Sequence, residues 1–202
     1  MRGQAHTLEA FVAGLLVLSG IVFALQATAV TPLSASTSNQ HVGNQERAMA
    51  AGVLETTDAN GSLEEAIVYW NTTPDNQDRG EFYGANATDG TAYADAPPNA
   101  FGRALDDAFG ERRTAFNVVV HSFGENASLT RTWMVRMGIP SSDAVTVGRQ
   151  VTLFDDATFS SPEAGNISAA AANPDRRFYA SDASRDGRLF NVVEVRITVW
   201  RI

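Results

Sequence analysis

The chain has 202 residues, with 44% hydrophobic and 19% charged side chains, which suits one domain with a packed core and is too apolar for a disordered chain. Its 23 acidic residues outnumber the 15 basic ones, giving a net charge of -8, and every basic residue is Arg, with Lys absent. The acidity argues against a nucleic-acid partner, which needs a basic face, and the absence of Cys excludes disulfides, thiolate catalysis and Cys-based zinc sites.

The first element in chain order is apolar. From Ala10 to Leu25 only Ser19 is polar, and extension to Val30 adds only Gln26 and Thr28. About 20 residues at 1.5 Å each span roughly 30 Å, the thickness of a bilayer core, so a transmembrane helix is expected over residues 1–31. Arg2 is the cation that precedes this run, and the next is Arg47. The positive-inside rule then places the N-terminus in the cytoplasm and the C-terminal domain outside the cell, as a single-pass protein of the cell membrane. Three readings of the segment stay open at this point. It is a secretory signal peptide cut after Ala27-Thr28-Ala29, an uncleaved anchor, or a pilin-like N-terminus.

The third reading rests on Arg2-Gly3-Gln4-Ala5, a basic residue and Gly followed by Gln, and on Glu9 just ahead of the apolar run. On these residues the first 30 or so positions resemble haloarchaeal type IV pilin-like surface proteins, which a prepilin peptidase processes. The resemblance implies cleavage between Gly3 and Gln4, a leader over residues 1–3, and pairing of Glu9 with a neighbouring chain's N-terminal amine during assembly. Cleavage there puts Glu9 at the sixth mature position, where the fifth is usual in the family. Without assembly, Glu9 would simply reach interfacial water. Small residues at Ala10/Gly14 and Gly20/Ala24 offer helix-packing notches. The acidic, Arg-only composition suits a halophilic archaeal source, because high salt screens the self-repulsion of an acidic surface; a GC-rich bacterium is the alternative.

Pro32 is expected to kink or end the membrane helix. Beyond it, Val42, Met49 and Val53 approximate a helical stripe, which allows a juxtamembrane helix over residues 32–57. An extracellular head domain follows over residues 58–202. In it, Asp58 to Gly61 read as a turn, and Ser62 with Glu65 as a capping box that opens a short helix to about Trp70. Residues 71–99 read as a loop pinned by Phe82, Tyr83 and Tyr93. Pro98 or Asn99 starts another helix with Phe101, Leu105 and Phe109 on its inner face. Strands are predicted over residues 115–123, 129–137, 145–154 and 189–202. In the last, Val193, Val195, Ile197 and Val199 alternate with Glu194, Arg196, Thr198 and Trp200, the pattern of a sheet with one buried face. The predicted class is α+β, an N-terminal helix followed by an antiparallel sheet of about four strands with short helices.

Five sequons, at Asn60, Asn71, Asn86, Asn126 and Asn166, fall in the part expected outside the cell and predict a glycoprotein; turn chemistry, which favours the same residue types, is the competing explanation. His6, His41 and His121 are scattered and do not form a metal or catalytic set. Asp106-Asp107 and Asp155-Asp156 read as solvated surface. Asp182-x-Ser184-x-Asp186-Gly187 copies half of a calcium loop, but Val193 stands where the closing carboxylate belongs and Glu194 is one place late, so it reads as an Asx turn. No cofactor, metal, small-molecule substrate or enzymatic activity is expected. The expected function is a pilin-like structural or interaction subunit of a cell-surface filament or secretion-type assembly. Its partners would be the lipid bilayer and other pilin-like subunits or itself. The alternative is a membrane-anchored extracellular binding protein that does not polymerise.

Overall fold

A computed structural model describes residues 2–72, 80–88, 90–124, 128–162, 165–173, 176, 178–184 and 186–202, with the first helix's side chains given for residues 9–24 and 40–59. That helix, α1, is Arg2–Ala59. The chain divides into two compact units, Met1–Asn44 and Gln45–Ile202.

In the first unit the apolar run is helical, and its large side chains stand exposed, with Phe11 and Leu16 at 69% and Phe23 at 74%. Among the described residues no helix is long and apolar enough to cross a membrane. The transmembrane helix expected over residues 1–31 is therefore not found there; the described side chains of the run stop at Ala24, short of the about 20 apolar residues that a bilayer requires. Pro32 does not end α1, which is helical through it. A proline removes one backbone hydrogen bond, and a long helix can absorb that loss.

The second unit is α+β, as the sequence predicts. After α1 come α2 (Ser62–Ile67), β1 (Trp70–Asn71), β2 (Glu81–Phe82), α3 (Ala100–Phe109) and a 3-10 turn at Gly110–Arg112. Then follow β3 (Thr114–Phe123), β4 (Leu129–Arg136), β5 (Val145–Phe154), α4 (Ile167–Ala171) and β6 (Leu189–Arg201). β3 to β6 form one antiparallel sheet in the order β4-β3-β6-β5. One side of this sheet is dry. Phe116, Val118 and Val120 of β3 and Val193, Val195, Ile197 and Val199 of β6 are buried in one cluster with Leu54 of α1, Leu63 and Ile67 of α2, and Phe101, Leu105 and Phe109 of α3. The side-chain period of two in the strands and of about four in α3 delivers these residues to a common face.

Local chemistry differs from expectation in two places. Ser62 does not cap α2. The cap is Gly61, at φ 80°, and the Ser62 N–H and hydroxyl both donate to Asn60 Oδ1, at 3.0 and 2.6 Å. A glycine takes that left-handed conformation without a Cβ penalty, and the Glu65 N–H that a capping box would have satisfied donates to Gly61 O at 3.1 Å. Residues 71–99 are not all loop either. β1 and β2 pair, Trp70 against Phe82, and Tyr93 bridges to the outer edge of β4 by accepting from Arg136 N at 2.8 Å and donating to Met134 O at 2.9 Å. Phe82 and Tyr93 are buried, so these aromatics do pin the segment. α3 starts as expected, with Asn99 Oδ1 accepting from Gly102 N at 3.0 Å.

Two buried amides close gaps in the sheet. Asn191 Oδ1 accepts from Phe123 N, while its Nδ2 donates to the carbonyls of Phe123 and Ser181. Asn117 Nδ2 donates to Gly138 O, and its Oδ1 accepts from Met137 N, both at 2.9 Å. That contact lays residues 137–138 over the far side of the sheet, where they help bury Trp200. Glu46 of α1, almost fully buried, accepts from Arg201 Nε of β6 at 2.9 Å.

Candidate functional site

The side of the sheet away from the helices carries a group of exposed charged and aromatic side chains. Cross-strand register arranges it in rows. Arg131 of β4 lies opposite His121 of β3, which lies opposite Glu194 of β6, which lies opposite Gln150 of β5. The next row runs Trp133, Val119, Arg196 and Gly148. Arg136 lies opposite Asn117 in the row beyond. Leu129 and Phe123 form the row at the other end, 64% and 43% exposed.

A β-bulge makes this arrangement. Consecutive residues Val118 and Val119 oppose Val135 and Trp133, which leaves Met134 as the extra residue on β4. The inserted residue brings Arg136, three positions after Trp133, back to the same side. The Arg131 and Arg136 guanidinium groups then lie 5.0 and 5.5 Å from the Trp133 ring centre. Such cation–π contacts are worth about 0.5–1 kcal/mol each at an exposed site. Arg196 pairs with Glu194 on its own strand at 2.8 Å, and this pair lies over Gly148, where a Cβ would meet the Glu194 carboxylate. The pairing holds the Glu194 carboxyl below its usual range and raises Arg196 further. His121 sits half-buried among these groups. Burial, then Arg196, and also Arg131 hold its pKa below the ordinary value, against an upward pull from Glu194. Its buried Nδ1 has no hydrogen-bond partner among the described residues.

An open cleft of about 540 Å³ lies at the end of β5 beside α2. Its lining includes Glu64, Glu65, Phe154, Asp156 and Ser160. The Glu64 carboxyl is pushed up from its usual range by burial first, then by Asp156 and Asp58. Asp58 is held by Arg149, and Asp156 meets Arg188 at 3.9 Å. The cleft is thus acidic and the sheet face basic. Among the described residues no group of three or more His, Asp or Glu could hold a metal ion.

The chain belongs to DUF7288, a family of unknown function, which it matches over residues 2–199. Neither a curated protein nor a solved structure matches it.

The structure does not bring the residues singled out in the sequence together into one site. Gly3 and Gln4 are helical in α1, and their side chains lie outside the described residues. Glu9 is exposed on α1. Asn71 lies in β1 opposite Glu81, and Asn126 lies outside the described residues. The remaining sequon asparagines serve the fold. Asn60 accepts from Ser62, Asn86 accepts from Ala94 N at 2.7 Å and donates to Asp95, and Asn166 Oδ1 caps α4 through Ala169 N at 2.7 Å. The calcium-like loop is an Asx turn, with Asp182 Oδ1 accepting from Ser184 N at 2.9 Å. Arg131, Trp133 and Arg136 of the sheet face escape the sequence reading, although Arg131 and Trp133 carried a usable signal. Their spacing of two on a strand puts them on one face.

Proposed function

We propose that the chain is a pilin-like structural or interaction subunit of a cell-surface assembly, with the N-terminal segment held in the cell membrane and the second unit outside the cell. One observation carries this reading. The first unit displays a helix on which Phe11, Leu15, Leu16, Leu18 and Phe23 are each more than half exposed. Water disfavours such a surface, and lipid or neighbouring helices would cover it. In sequence the run continues past Ala24 to Val30, which gives the length a membrane segment needs. Glu9 stands at its edge, where a partner's N-terminal amine would compensate the cost of a carboxylate near lipid. The resemblance at Arg2-Gly3-Gln4 points the same way.

Glycans at some of Asn60, Asn71, Asn86, Asn126 and Asn166 belong to the same proposal. Attachment consumes a hydrogen of Nδ2 and leaves Oδ1 as acceptor, so the cap at Asn166 and the turn at Asn60 are compatible with it. Glycopeptide mapping from the native host tests this, and five bare sites would remove it.

Mass spectrometry of the protein from host membranes tests the anchoring. A mature chain starting at Gln4 and retained with membranes is expected; a start at Val30 with protein free in the medium would overturn the reading. Glu9→Gln separates assembly from solitary anchoring. It should leave membrane retention intact and reduce co-purification of differently tagged copies. Equal co-purification would favour the anchored binding protein.

A further inference from the structure

The two charged features of the second unit are complementary and are built from different residues. The sheet face presents Arg131 and Arg136 around Trp133, in a chain whose net charge is -8. The cleft beside α2 presents Glu64, Glu65 and Asp156. Each feature also has exposed apolar surface beside it. Phe123 and Leu129 flank the basic rows, and Phe154, 49% exposed, lines the cleft.

We infer that the sheet face of one copy docks into the α2 cleft of a second copy, with the guanidinium groups of Arg131 and Arg136 meeting the carboxylates of Glu64 and Glu65. The inference rests on the assembly reading above and names the surface through which second units would meet.

Three physical points favour a second copy as the occupant. Two chains of net charge -8 repel at long range, so association needs a local patch of the opposite sign, and the sheet face supplies one. The cleft gathers carboxylates that already repel one another, and an incoming guanidinium relieves that repulsion. An open volume of about 540 Å³ is of the size that admits a side-chain cluster such as Trp133 with its two flanking Arg. Because the two surfaces differ, the contact is heterologous. Such a contact repeats from copy to copy, in a filament where its rotation does not close and in a ring where it does. Short guanidinium–carboxylate contacts and apolar burial persist where salt screens longer-range attraction.

The absence of cysteine permits a direct test on the full chain in host membranes. One tagged copy carries Arg131→Cys and a differently tagged copy carries Glu64→Cys. Mild oxidation should yield mixed-tag disulfide dimers from the pair and none from either variant alone. Arg136→Cys with Glu65→Cys provides a second pair at exposed positions, so a fold defect in one pair does not decide the result. If wild-type tagged copies co-purify but neither pair cross-links, the docking surface is wrong and the assembly reading stands. If Arg131→Cys alone cross-links as well as the pair, the contact is symmetric and the inference falls. If wild-type copies do not co-purify at all, both the inference and the assembly reading fall.

Discussion

Asp58 near the end of α1 receives both Arg149 Nε, at 2.9 Å, and Arg149 Nη2, at 2.7 Å, from the helix-facing side of β5. Arg149 lies opposite Val195, so it occupies the side of the sheet that Val145, Val151 and Leu153 bury. The pair is partly exposed, at 45% and 27%, which limits its worth to about 0.2–1 kcal/mol after screening. A double-mutant cycle of Arg149→Ala and Asp58→Ala, followed by denaturant unfolding, should give a coupling in that range that shrinks as salt rises. A coupling insensitive to salt would mean that the pair acts through packing.

Asn191 should tolerate replacement far less well. It is fully buried and serves three backbone groups of Phe123 and Ser181. Asn191→Leu would fill a similar space and leave those groups without partners. Each such group costs about 1–3 kcal/mol, so a loss of about 3 kcal/mol or more is expected in unfolding experiments. Asn191→Asp keeps one acceptor and loses both donors, and should also destabilise.

Gly102 is a second fixed point. A Cβ there would overlap the carbonyl oxygen of Pro97. The obstacle is backbone, so a rotamer change cannot relieve it. Gly102→Ala should therefore lower stability by at least the about 1–3 kcal/mol typical of overpacking, despite the better helix propensity of Ala. Thermal unfolding would read the loss.

His121 gives the second unit a defined pH response. Its folded pKa is lowered, chiefly by burial and then by Arg196 and Arg131, with Glu194 acting in the opposite sense. The unfolded chain therefore takes up this proton at a higher pH than the folded one does, near the ordinary value of about 6.5. The contribution to stability is complete above that value and is lost as pH falls from there to the folded pKa. Unfolding midpoints measured through this window should decline with acidification, and His121→Gln should flatten the decline. An unchanged profile would assign it to other groups.

Much of the fold is legible in the sequence because it is written in periodicity. Phe101, Leu105 and Phe109 recur every four residues, and Val193 to Val199 every two, so α3, β6 and their buried faces could be placed. β1 and β2 could not, since two residues carry no period. Asn117 and Asn191 interrupt apolar runs, and only the folded chain identifies the carbonyls and amides they satisfy. The basic sheet face was hidden for a similar reason. Arg131, His121 and Arg196 come from three strands, and register alone makes them neighbours. Asn60 and Asn166 illustrate the opposite problem, since a sequon and a cap draw on the same residue types, and the sequence does not distinguish the two uses.

The place of β6 between β3 and β5 also sets a timetable. β3 and β4 can pair as soon as both are made, but β5 is joined to the sheet through β6. Until β6 has been made, the apolar side chains of β5 lack their strand partner and the helices lack the buried face of β6. The second unit therefore cannot close its sheet until β6 has been made.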